Sequence, residues 1–353
     1  MRLTRGARIT GAVLCAVPAL IAFGWIVRDL REAGGPVELW QHWAVYADFR
    51  TPMRPATSHT TALLLVGYVL AAVAALRSAL AAPVLVATGL VTFALRLPAT
   101  WTIGSWTDGV YADELRTRAL IGTFVALAAG LALIVTAAAG RHPVEDGREP
   151  RPGRPALGAA VITFLLLGAT AVVFAAWEIR QPFVLPDELY PAWFTGGAPL
   201  SIPLTEAPPG WATAVLVALC LWAAFAALAR AVHARPLGLL AGAFVLASGV
   251  LGIARIVHYE LYERFTDLDV ENQLHLVTWL FSFFAGLAVL AALALAGAER
   301  TPEGGGPGGW AVPGPGSAPP GQGSPHPRAT APGPPQGGSF APPPPPASPP
   351  PGW

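Results

Sequence analysis

The chain contains no lysine: all 22 of its basic residues are arginine, and Asn272 is its sole asparagine. Charged residues of any kind are scarce, at 12% of 353 residues, against roughly a quarter in soluble domains. With 54% hydrophobic residues and a mean hydropathy of +0.52, this deficit excludes a soluble globular protein and points to a membrane protein. The chain has only two cysteines, Cys15 and Cys220, each inside an apolar run. They form neither a CxxC motif nor a disulfide framework, and read as reduced packing residues. A lipoprotein reading of Cys15 fails because Leu14 precedes it, where a lipid-modification site takes a small residue.

Motifs for nucleotide and metal chemistry are missing as well. There is no GxxxxGK[ST] loop, no GxGxxG after a strand, no HExxH and no GxSxG. No cofactor, metal or nucleic-acid partner is expected, and no residue is assigned a catalytic role. The apolar segments lack Asp, Glu, Lys and His at their centres. Burying such charges in hydrocarbon is costly and is kept for use, so ion-coupled transport is disfavoured.

What is present is a run of eight apolar segments. They read as membrane helices at Ile9–Val27, Thr61–Leu76, Ala79–Leu95, Ala119–Ala139, Ala156–Trp177, Ala212–Ala229, Pro236–Ala254 and Leu274–Ala296. The first follows Arg2, Arg5 and Arg8 and resembles a signal peptide at its start. It is longer than a signal core and lacks a clear A-x-A site, so it reads as a retained helix. At 1.5 Å per residue it spans about 28 Å, close to the hydrocarbon thickness.

The segment Gly140–Pro155, GRHPVEDGREPRPGRP, divides the eight into two groups of four. Trp25-x-x-Arg28 closes the first helix, and Trp177-x-x-Arg180 closes the fifth. Arg96 ends the third helix and Arg255 the seventh. The expected fold class is therefore all-α: a polytopic bundle of eight transmembrane helices in two pseudo-repeated halves. The divisions are 1–139, a linker at 140–155, 156–300, and a disordered Pro/Gly-rich tail at 301–353. That tail holds 19 prolines and 13 glycines in 53 residues, too few apolar residues to bury a core. In composition and layout the chain resembles polytopic membrane proteins of high-G+C actinobacteria.

Arginine placement sets the expected orientation. With both termini cytoplasmic, the inner segments hold 12 arginines and 5 acids, and the outer segments 10 arginines and 16 acids. The long outer connections are expected to form a cap, with Glu178–Gly210 as irregular chain rather than helix. Arg96, Arg255, Trp25, Arg28, Trp177 and Arg180 are the candidate outer-face contacts for lipid or ligand. Asp267, Asp269 and Glu271 alternate as oxygen ligands might, yet lack the calcium-loop spacing. His42, His59, His258 and His275 all fall near the outer face without paired-ligand spacing.

Three functions follow from this layout. The first, chosen because it requires the fewest unobserved features, is a non-enzymatic membrane platform with an acidic extracytoplasmic cap, whose tail docks a cytoplasmic proline-recognising protein; the other two are alternatives to it. The second is a transporter or lipid-handling protein, favoured by a polar cavity lined by Arg96 and Arg255. The third is an enzyme acting on a lipid-linked substrate at the outer face, with Asp113, Glu114 or the Tyr259–Glu271 cluster as acid and base.

Overall fold

A computed structural model describes residues 2–45, 53–105, 111–142, 155–197, 200 and 202–295. The tail and most of the linker lie outside the described residues. Among the described residues, eight helical spans are long and apolar enough to cross a membrane, as in a multi-pass integral membrane protein. They are α1 (Arg5–Ala33), α3 (His59–Arg77), α4 (Ala81–Arg96, in a span that runs on to Gly104), α6 (Asp113–Ala139), α7 (Leu157–Val184), α9 (Pro209–Leu228), α10 (Ala234–His258) and α11 (Val270–Leu295). Three short helices, α2 (Pro36–Trp43), α5 (Ala99–Ser105) and α8 (Leu189–Thr195), lie in the long connections.

Local chemistry fixes the ends. The Thr4 hydroxyl accepts from the Ala7 amide at 3.2 Å and caps α1. At the other end Gly34 takes the left-handed conformation that terminates it. Ser58 caps α3 by accepting from the Thr60 amide at 3.0 Å. Pro36 and Pro209 occupy first-turn positions of α2 and α9, where a missing N–H costs nothing. The α3–α4 turn is held by Arg8, which donates to the Leu76 and Ser78 carbonyls. Beside it, Arg2–Leu3 pairs antiparallel with Arg141–His142, fastening the start of the chain to the end of α6.

Several helices outrun their apolar segments on the long-connection side. α6 begins six residues before Ala119, because Asp113 and Glu114 suit a helix N-terminus and pair with Arg116 and Arg118. α7 continues past Trp177 to Val184. This corrects the reading of 178–210 as irregular: its first turns belong to α7, and α8 follows at 189–195.

In the first group α1 packs on α3 and α6, and α4 on α6 and α3. In the second, α7 packs on α9 and α11, and α10 on α11 and α9. α3 meets α10, and α4 meets α9 and α10, across the middle, and the largest buried cluster spans that seam, from Leu64 and Tyr68 to Leu219 and Val245.

The long connections are tied to each other. Asp29, fully buried at the end of α1, accepts from the Thr57 amide at 2.7 Å and the Thr57 hydroxyl at 2.6 Å. The adjoining Ala56 carbonyl accepts from Thr205, from its amide at 3.0 Å and its hydroxyl at 2.8 Å. Leu204 is buried with Ala56, Ile103 and Ala119. A connection from the second group is thus seated on the first.

Candidate functional site

A cavity of about 550 Å3 opens between the long-connection ends of α7, α9, α10 and α11, in the range of ligand sites. Its deep wall is apolar: Val91 of α4, Leu216 and Leu219 of α9, and Phe244 and Leu251 of α10. Leu219 lies ten residues into α9, about 15 Å at 1.5 Å per residue, so the cavity penetrates the span. Its only deep polar groups among the described residues are hydroxyls such as Ser248 and Ser282, which bond back to their own helices.

The rim is polar and aromatic. His42, Trp43, Ser58 and His59 come from the first group; Glu178, Trp193, Glu206, Arg255 and His275 come from the second. Trp193 donates its indole N–H to Glu178 at 3.0 Å. Ser58 donates its hydroxyl to Glu206. Burial pushes the Glu206 carboxyl above the usual range, opposed by the Ser58 hydrogen bond and the Arg96 charge. Burial lowers the His42 imidazole against the pull of Asp29, favouring its neutral form. Trp177 stacks on His275 at 3.9 Å between centroids and donates to the Thr278 hydroxyl at 3.1 Å.

Arg255 is the cation of this rim. Its Nε donates to the Ala44 carbonyl at 2.7 Å, and its guanidinium lies 5.7 Å from the centre of the Trp279 ring. Gly252, one turn before Arg255, makes this possible: a Cβ there would stand 2.3 Å from the Trp279 Cβ. Among the described residues no carboxylate forms an ion pair with Arg255.

The other expected contacts are dispersed. Arg96 does not reach this cavity. It donates to the Thr205 carbonyl and to the Thr61 hydroxyl at 3.4 Å, beside a space of only about 20 Å3 shared with Trp25, Tyr68 and Thr205. Arg28 pairs with Asp29 at 2.7 Å. Arg180 makes a two-pronged ion pair with Glu271 at 2.6 and 2.5 Å. Trp177 lines the cavity, whereas Trp25 does not.

The acidic cluster and the histidines form no metal centre among the described residues. Glu271 is spent on Arg180, and Asp269 holds Asn272 at 2.5 Å. His42, His59 and His275 share the cavity; His258 packs on Tyr259 away from it. Asp113 and Glu114 sit on the exposed face of α6, paired with arginines of the same helix, and contribute nothing to the cavity. Glu178, Glu206, Trp193 and Trp279 are cavity groups that motif reading passes over, because four separate segments bring them together. No family model matches this chain, and neither does any curated protein or solved structure.

Proposed function

We propose that the chain is a lipid-handling membrane protein that takes an amphipathic molecule into the cavity of its second half from the outer leaflet. The observation that carries this is the cavity's polarity. Apolar walls run down between the helices, and the rim at the helix ends carries the tryptophans and ionisable groups that suit a membrane–water interface. Both termini are cytoplasmic in this reading, supported by the arginines gathered at 1–8 and 140–155. Arg96 and Arg255, at equivalent helix ends, belong to a pseudo-repeat. Its support is the matching order of packing: first helix on second and fourth, third on fourth and second, in each group. The two halves have diverged, with the mouth of the first filled by Leu204 and Thr205.

The test is native mass spectrometry of the full-length protein from membranes, beside a Ser248→Trp variant that fills the middle of the cavity. Co-purified lipid is expected on the first and depleted at least about tenfold on the second, since a blocked site forfeits most contacts. Equal lipid retention by both proteins sinks the reading.

A docking role for 301–353 rests on a separate observation, the five consecutive prolines Pro342–Pro346, which favour the extended helix that aromatic grooves recognise. Deleting Thr301–Trp353 is expected to leave the membrane core intact and remove a cytoplasmic partner. Retention of every partner by the shortened chain ends that role.

A further inference from the structure

The cavity rim carries hydrogen-bond donors that nothing among the described residues accepts. The Trp43 indole N–H is buried without a partner. Arg255 uses its Nε on the Ala44 carbonyl, which leaves both terminal nitrogens without an acceptor among the described residues. The His59 imidazole faces the same cavity and likewise makes no hydrogen bond among them. Trp43 directly precedes Ala44, whose carbonyl accepts from Arg255, and Trp43, His59 and Arg255 all line the one cavity. The acceptors of the rim are elsewhere engaged: Glu178 by Trp193, and Glu206 by Ser58.

A half-buried guanidinium with no counter-charge among the described residues carries a partial desolvation cost, and a buried N–H without an acceptor carries a larger one. Both costs fall if a ligand brings anionic oxygen to that rim. Arg at such a site offers two parallel donors, the geometry that matches phosphoryl and carboxylate groups. We propose that the molecule bound in this cavity carries an anionic oxo headgroup, seated on Arg255 with Trp43 and His59 around it. This rests on the lipid-handling reading for the apolar remainder of the molecule.

The experiment uses full-length protein in an uncharged detergent, titrated with lysophosphatidic acid, with monoolein as an uncharged amphiphile, and with inorganic phosphate. Binding is followed by native mass spectrometry. Lysophosphatidic acid is expected to bind about tenfold or more tightly than monoolein, the usual worth of a charge-assisted pair. Arg255→Gln is expected to erase that preference, weakening lysophosphatidic acid about tenfold more than monoolein. Trp43→Phe, which removes only the N–H, is expected to weaken lysophosphatidic acid alone, by about threefold to tenfold.

Equal binding of the two amphiphiles, or an unchanged preference in Arg255→Gln, overturns the headgroup inference while the lipid-handling reading stands. Phosphate binding as tightly as lysophosphatidic acid supports the anion site but assigns it to a free anion, and the lipid-handling reading falls instead. Binding of none of the three probes overturns both.

Discussion

Arg255 and Ala44 stand 211 positions apart in sequence and are joined by a hydrogen bond of 2.7 Å, from the arginine Nε to the alanine carbonyl. The contact has a counterpart. Arg96, at the end of α4, donates to the Thr205 carbonyl, 109 positions away. Each arginine lies in the last turn of the third long helix of its group and is received by a connection of the other group. The two groups are thereby latched by a pair of crossed arginine-to-backbone bonds. At Arg96 the receiving connection also fills the space, and at Arg255 it leaves a cavity.

The latch at Ala44 strains its neighbour. Val45 has φ of 60°, in the left-handed region that a β-branched residue adopts at a cost of about 1–3 kcal/mol. Its side chain is mostly exposed, so little packing compensates. Val45→Gly is expected to raise thermal stability in detergent by about 1 kcal/mol and preserve ligand binding. A stability loss of that size would show that the valine side chain outweighs the backbone strain.

Asp29 anchors the other connection. It is fully buried and accepts two hydrogen bonds from Thr57 in addition to its ion pair with Arg28. Asp29→Ala leaves a buried amide and hydroxyl unsatisfied and is expected to cost about 3 kcal/mol. Proteolysis between residues 53 and 58 should quicken along with it. Asp29→Asn, which retains an acceptor, should cost less. Equal stability of wild type and Asp29→Ala contradicts the anchoring role.

Glu206 gives a pH dependence with a definite sign. Its carboxyl is pushed above the usual range by burial, so the folded state binds its proton more tightly than the unfolded state. Folding stability from this group is highest at low pH and falls as pH rises from the ordinary carboxylate range through the raised folded value. Glu206→Gln is expected to be more stable than wild type at pH 8, with the difference vanishing near pH 4. Parallel pH profiles for the two proteins, measured by thermal unfolding, contradict the burial effect.

Glycine contacts set the spacing of the α4–α6 and α10–α11 pairs. A Cβ at Gly89 would stand 2.6 Å from the Gly130 carbonyl oxygen, and one at Gly286 would stand 2.5 Å from the Leu246 amide nitrogen. Alanine at either position must push backbones apart, at an expected cost of about 1–3 kcal/mol. At Gly67 and Gly168 a Cβ meets nothing within 4 Å. Alanine there should be neutral or stabilise by up to about 1 kcal/mol. Thermal shifts of the four variants check the contrast, and similar shifts at all four positions defeat it.

The spans were legible because an apolar run of membrane length needs no tertiary information to be read, and all eight expected segments coincide with long helices. The helix ends were less so. α6 starts at Asp113, where charges pair along its own surface, and α7 runs through Arg180, which pairs across to Glu271 of α11; at both ends the hydropathy signal has already stopped. Arg255 was visible as a helix-ending cation facing the long-connection side. Its partner was not, because a backbone carbonyl carries no residue identity and Ala44 looks like any other alanine. Arg96 has the same sequence setting, yet it is enclosed by Thr205, and only the path of a connection distinguishes the two. Trp43 lies in the connection between α1 and α3 and His59 at its end, and Glu206 comes from the connection before α9, so their convergence is a property of the fold rather than of any motif.

The most direct measurement is an experimental structure of the full-length protein in nanodiscs made from its own membrane lipids. The account predicts continuous density for a bound amphiphile, its head beside Arg255 and Trp43 and its apolar part between Leu216, Leu219 and Phe244. A closed, ligand-free bundle, with Trp279 and Phe244 packed against α9 where the cavity stands, would contradict it.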